Sequence, residues 1–281
     1  MQDDDQPALD HLAASGIRIP PQPKVLIELR DKIARGDYTV RSIAQVIGQD
    51  PGLVAMLFKA SRSPAFSRGR KFEKLDQVLQ VIGIKQTYNL IQAAALAAAT
   101  GGTTRKAFEK FWTRSGEVAE LAAMIAEDQV AVCNVFPDQA YMAGIFHQCG
   151  VPVLMLRFPD YCQKLQFDNA GSWPDLAEED AKFNVDHVSI GYLVARHWGL
   201  PDFICAAIRY HHEIPPEAAG TTISLVSILQ FAVHAYLSIQ LQANPTWDVI
   251  GARVLEEVGL AAADLDGYLD DLSHRFHERA D

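Results

Sequence analysis

Histidines are the residues of this chain that could do chemistry. His147-Gln148 closes an otherwise small and apolar stretch, Tyr141 to Cys149, just before Gly150. His211-His212 closes a second stretch, ahead of Pro215-Pro216. His187 lies between them, directly after Asp186. Imidazoles at the ends of apolar segments have two uses. They can present lone pairs to a divalent cation, and a hydrolytic cation also needs charged donors and an open position for water. Alternatively they are core and rim histidines held by hydrogen bonds. Metal sites are recognised by ligand type and count together. Four imidazoles without a carboxylate fit the second use better, so neither a bound transition metal nor any other cofactor is expected.

The elements that must position these residues read as helices. Val25, Leu26, Leu29 and Ile33 form one apolar stripe, closed by Gly36. Thr39 and then Asp50-Pro51 have the chemistry of helix starts. Ser61 to Lys71 reads as a polar, basic loop. Helices bearing Val78, Leu79 and Ile82, and then Ile84 to Ala99, follow. Gly101-Gly102 breaks the pattern and marks a lobe boundary. A long helix from Thr104 to Asp128 carries Phe111, Ser115, Val118, Ala122 and Ile125 on one face, with Arg114 one step off it. Asp138 is the expected cap of the His147 helix, and Trp173 to Lys182 is expected to be helical. Asp186 caps the next helix, where Gly191 would let a neighbour come close and bring His187 near the core. Thr221 to Leu241, a short piece near Val249 to Glu256 and a tail from Ala261 complete the chain. No strand-period run of useful length occurs. The fold class expected is all-α, a two-lobed helical bundle.

Composition narrows the function. The 281 residues carry a formal net charge of -10, which repels phosphate backbones and argues against nucleic acid as a partner. Arg62, Arg68, Arg70, Lys71 and Lys74 form a local basic cluster, read as a solvated loop. The four cysteines, Cys133, Cys149, Cys162 and Cys205, make no CxxC pair and read as reduced, buried thiols of a cytoplasmic protein. Thr221 to Leu241 is the nearest thing to a membrane span. Its Gln230, His234 and Gln240 and the lack of flanking Lys or Arg fit a buried helix better. No P-loop, GxSxG or dinucleotide fingerprint is present.

Four segments together carry a resemblance. Ile19-Pro20-Pro21-Gln22-Pro23 is similar to a proline-bracketed entry. Gln49-Asp50-Pro51-Gly52-Leu53 with Ala60-Ser61-Arg62-Ser63-Pro64-Ala65-Phe66 is similar to a second family segment. Gly144 to Gly150 and the closing run from Asp186-His187 through Trp198-Gly199-Leu200-Pro201 to His211-His212 complete the order. The chain resembles the HDOD family, relatives of the HD and HD-GYP metal phosphohydrolases, over Ile19 to His212. The resemblance implies an arm at 1–16 and an HDOD domain at 17–214, with a helical lobe 17–101 and an HD-domain-like lobe 102–214. Helices in 215–281 would pack on the latter.

In the catalytic relatives an early His, a His-Asp pair and a late Asp hold metal. By resemblance these positions fall at Arg114, at His147 and Gln148, and at Val233. With His187, His211 and His212 they form the expected vestigial site. Arg114 brings a permanent cation and no acceptor, and Gln148 brings an oxygen without charge. The resemblance therefore implies a non-catalytic signal-transduction module engaging a signalling protein partner, or a nucleotide as small ligand, and no membrane. The alternative is a metal-dependent phosphohydrolase acting on a nucleotide or cyclic dinucleotide.

Overall fold

The computed structural model describes residues 16–67, 72–100, 105–165, 173–216 and 222–280. Among these described residues every regular element is helical and no strand occurs. Two compact units account for the chain: Pro20–Gly101, and Met1–Ile19 with Gly102–Asp281. The Gly101-Gly102 pair lies outside the described residues, as do the 1–15 arm, Arg68, Arg70 and Lys71.

The unit Pro20–Gly101 holds α1 (Lys24–Arg35), α2 (Val40–Ile47), α3 (Pro51–Ala60), the single turn α4 (Pro64–Ser67), α5 (Leu75–Ile82) and α6 (Ile84–Thr100). Local chemistry fixes the ends. Gly36 closes α1 in the left-handed region at φ 67°, a conformation that costs glycine little. Thr39 Oγ1 accepts from Ser42 N–H at 3.1 Å, and Ser42 Oγ accepts from Thr39 N–H at 3.0 Å. Asp50 Oδ1 accepts from the N–H groups of Gly52 and Leu53, with Pro51 as first helical residue. The buried stripes Leu26 and Leu29, Ile43, Val46 and Ile47, Leu53 and Leu57, and Val78, Leu79 and Ile82 form the core. In the described part of the expected Ser61–Lys71 loop, Ser61, Ser63 and Phe66 are buried, and α4 forms a helical turn there.

The larger unit is built on α7 (Arg105–Asp128). From Leu121 to Ala126 this helix is buried on every side, as a helix apolar all round must be. After the short α8 (Val130–Cys133), α9 (Pro137–Phe146) lies along α7. Asp138 does not cap α9. Pro137 takes the first helical position, Phe136 becomes the N-cap, and Gln139 Oε1 accepts from Phe136 N–H at 3.0 Å. Asp138 sits in the first turn, where its charge suits the helix dipole. Then come α10 (Gly150–Arg157), α11 (Tyr161–Lys164), α12 (Leu176–Phe183), α13 (His187–His197) and α14 (Asp202–Tyr210).

The apolar helix α15 (Thr222–Ile239) is long and apolar enough to cross a membrane by length and composition alone. In the fold Leu225 to Ala232 are buried, and the helix packs on α7 and on α16 (Pro245–Val258). That last helix is longer than the Val249–Glu256 piece expected. Asn244 caps it and Pro245 starts it, a signal the sequence reading did not use. The final helix α17 (Leu265–Ala280) buries Leu272 and is tied to α7 at Asp128. Arg275 donates to both Asp128 oxygens, at 3.1 and 2.7 Å, and Tyr268 O–H donates to Oδ2 at 2.7 Å. All four cysteines are free and buried.

Two glycines set how closely these helices approach. A Cβ on Gly144 of α9 would lie 2.4 Å from Ala119 Cα of α7. A Cβ on Gly150 would lie 2.1 Å from His187 O and 2.6 Å from Gly191 N, so α10 and α13 meet backbone to backbone. Gly150→Ala must therefore push α13 away. Overpacking of a dense core costs about 1–3 kcal/mol, and urea unfolding of the variant should show at least that loss. Gly116, also on α7, has nothing within 4 Å of its added Cβ. Gly116→Ala should leave stability unchanged or raise it by up to about 1 kcal/mol. Equal effects at the two positions would contradict the close approach.

Candidate functional site

Four histidines of the larger unit converge because three helix ends do: the ends of α9 and α14 and the start of α13. His147 is the residue that ends α9, and its Nδ1 lies 2.7 Å from Gly144 O. A carbonyl only accepts, so Nδ1 carries the hydrogen and Nε2 is a bare acceptor. The same construction recurs at the end of α14, where His211 Nδ1 lies 2.8 Å from Ile208 O. Gln230 of α15 holds this segment in place: its Nε2 donates to Tyr210 O at 3.2 Å and to Glu213 O at 2.8 Å. His187 opens α13 behind its cap, with Asp186 Oδ1 accepting from Ser189 N–H at 2.7 Å.

The inner nitrogens then face one another. His187 Nε2 stands 3.2 Å from His211 Nε2 and 3.0 Å from His212 Nε2. One ligand nitrogen from each of the three lies within 4.8 Å of the others. His147 flanks the trio, its ring centroid 5.2 Å from that of His211. Its Nε2 is buried without a hydrogen-bond partner.

A residue absent from the sequence reading fixes this arrangement. Glu179 of α12 is fully buried and accepts three hydrogen bonds. Oε2 takes His187 N–H at 2.9 Å and His187 Nδ1–H at 2.6 Å, and Oε1 takes the hydroxyl of Tyr161. Burial and that carboxylate push the Tyr161 hydroxyl well above its ordinary pKa, so it remains a donor. With Nδ1–H committed to Glu179, the other nitrogen of His187 must point at His211 and His212.

The remaining expected residues lie around the same place. Arg114 is buried, with its guanidinium 4.8 Å from the centroid of Trp173. Tyr236 bonds to it and to Glu117. Burial lowers the Arg114 pKa, with Tyr236 and Glu117 opposing; the group stays cationic in water's working range. Gln148, Val233, His211 and His212 share the wall of a cavity of about 280 Å³ with Trp173 and Gln230.

The donor set can be tested for the metal of the catalytic relatives. At the positions implied by resemblance it offers His147 and an amide, with a cation at Arg114 and an aliphatic side chain at Val233, so a hydrolytic centre does not fit there. The His187–His211–His212 trio is a different set. A tetrahedral ion with bonds of about 2.0–2.1 Å needs nitrogen–nitrogen edges of roughly 3.3 Å, close to the two short separations. The expectation of no metal rested on four imidazoles without a carboxylate, and Glu179 supplies a carboxylate behind His187.

Burial makes this centre resist charge. It lowers the His147 pKa to about 4, aided by His187 and Arg114, and the His212 pKa to about 3, aided by His187 and His147. His211 is likewise depressed, by burial first and then by its histidine neighbours.

A family profile, the HDOD domain, matches residues 19–214. An uncharacterised protein of Treponema pallidum is 25% identical over 222 residues, covering 77% of this chain and 42% of that protein. The chain thus spans less than half the length of this curated relative. A candidate signal transduction protein of Marinobacter aquaeolei superposes with a TM-score of 0.66 at 18% identity, covering 99% of this chain and 65% of that one. A candidate metal-dependent phosphohydrolase of Shewanella amazonensis superposes with a TM-score of 0.64 at 19% identity, covering 96% of this chain and 97% of that one. At these identities the two structures speak to the fold alone.

The depressed histidines give stability a direction with pH. In the unfolded chain they take up protons near pH 6.5, at about their ordinary value. In the folded chain His147 resists until about 4 and His212 until about 3. Between these limits the unfolded state binds more protons, so stability is complete above about pH 6.5 and falls as pH drops. The urea midpoint should decrease from about pH 7 to about pH 5, and less steeply in His147→Gln, which removes one of the linked protons. A midpoint flat across that window would contradict neutral, buried histidines.

Proposed function

We propose that this chain, which belongs to the HDOD family, is a regulatory module of signal transduction that binds a protein partner or a small ligand and does not hydrolyse phosphodiesters. One observation carries the reading: a buried guanidinium, held by Trp173 and Tyr236, stands near His147, and the resemblance assigns its position to a metal ligand of the catalytic relatives. Metal-dependent phosphoryl transfer needs divalent cations fixed by carboxylates and open to substrate oxygens. Here the carboxylate positions implied by resemblance are Gln148 and Val233. The cavity of about 280 Å³ beside them supports a small ligand, at the lower end of the range for such sites. The net charge of -10 argues against nucleic acid and anionic membranes as partners.

A metal-dependent phosphohydrolase is the second reading, and the convergence of His187, His211 and His212 favours it. The two differ in turnover. Generic phosphodiesters and cyclic dinucleotides, supplied with Mn2+, Fe2+ or Mg2+, should show no hydrolysis above the metal-only blank. Arg114→His combined with Gln148→Asp should raise metal affinity by restoring two donors, with turnover still absent while Val233 remains. Wild-type hydrolysis that disappears in His147→Ala would replace the regulatory reading with the enzymatic one.

A further inference from the structure

We infer that Glu179, backed by Tyr161, is a positioning carboxylate for a divalent cation site formed by the Nε2 atoms of His187, His211 and His212. This goes beyond the regulatory reading, which concerns turnover and not cation binding.

Hydrogen-bond bookkeeping leads there. His211 Nδ1 carries its hydrogen toward Ile208 O, so its Nε2 is bare. His187 Nδ1–H is committed to Glu179. Two bare nitrogens 3.2 Å apart repel each other, so something positive belongs between them: a shared proton or a metal ion. His212 adds a third nitrogen at 3.0 Å, and His147 a fourth, buried and without a partner, beside His211.

The contacts of Glu179 are those of an outer-shell residue. A carboxylate on Nδ1–H fixes the tautomer, orients the ring and makes Nε2 a better donor. The carboxylate also offsets part of the charge that a divalent ion brings to three neutral imidazoles. Tyr161 and the His187 backbone N–H bring its accepted hydrogen bonds to three and engage both oxygens in a fully buried place. Arg114 packs on Trp173, whose ring neighbours that of His147 at 6.4 Å between centroids, so the guanidinium stands on the His147 side of the cluster and the cation would sit on the His187 side. All-imidazole donors select zinc-like ions over magnesium or calcium, which prefer oxygen.

The test is Co2+ titration of the full, tag-free chain after chelation, read by visible absorption and calorimetry, with circular dichroism as the check on folding. Wild type should bind one Co2+, and His211→Gln with His212→Gln should abolish it. Glu179→Gln keeps the shape and removes the charge. It should weaken Co2+ binding about 10- to 100-fold and move the visible band, since loss of an outer-shell partner has effects of that size. Tyr161→Phe leaves the carboxylate in place and should give a smaller loss in the same direction. It also serves if Glu179→Gln does not fold. Wild-type affinity and an unmoved band in both variants would overturn the role of Glu179. No binding by wild type, or binding that survives the double histidine variant, would overturn the site itself. Turnover by the Co2+-loaded chain would sink the regulatory reading and leave the Glu179 inference standing.

Discussion

A carboxylate in a place without water has to be satisfied by the protein, and Glu179 is satisfied by two residues from two other elements. Tyr161 reaches it from α11, and His187 offers both its backbone and its ring from the start of α13. The side chains of Glu179 and His187 are both fully buried. Removing one partner from such a pair typically costs about 3–5 kcal/mol, because the other is left uncompensated. Three elements are thereby locked to a single point. The direction of the His187 ring follows from that lock, and the direction of the ring decides what the other histidines face.

The rest of the unit brings those other histidines to the same point by close approach. Gly144 lets α9 lie against α7 at Ala119, and Gly150 lets α10 touch the His187 turn of α13. Gln230, buried in α15, holds the carbonyls on either side of His211-His212. The result combines two features that oppose each other in a hydrolase. One side of the centre holds bare imidazole nitrogens and a supporting carboxylate. The other holds a permanent cation packed on Trp173. A phosphohydrolase needs the first side continued by carboxylates onto the second. At the positions the resemblance implies for those carboxylates, this chain has an amide, Gln148, and an aliphatic side chain, Val233.

Local rules made much of the fold legible. Thr39, Asp50 and Asp186 cap helices through bonds within three residues of themselves, and Gly36 closes one through its own backbone. The all-helical class followed from the absence of period-two runs. The gathering of His187, His211 and His212 was expected from the family resemblance together with the apolar faces they end, and Gly191 hinted at a close neighbour without naming Gly150. Glu179 was not legible. It sits in Glu178-Glu179-Asp180, which looks like a solvated acidic face, and only its middle member turns inward. Nothing between Glu179 and His187 marks them as partners; the contact joins one helix to the start of the next. Asp138 misled for a local reason, since Pro137 moved the helix start two residues earlier. The length of α16 was understated because Asn244-Pro245 was passed over as a start signal.

The central claim is that outer partners consume the Nδ1 hydrogens and leave the inner nitrogens bare. Long-range proton–nitrogen correlation spectra of the metal-free chain, labelled with 15N at histidine, read this directly at neutral pH. His147 and His211 should appear as the Nδ1–H tautomer, with Nε2 showing the shift of an unprotonated acceptor. That tautomer is imposed by the carbonyls of Gly144 and Ile208. Nε2–H tautomers at both residues would contradict the arrangement, and with it the account of a centre built to face a cation.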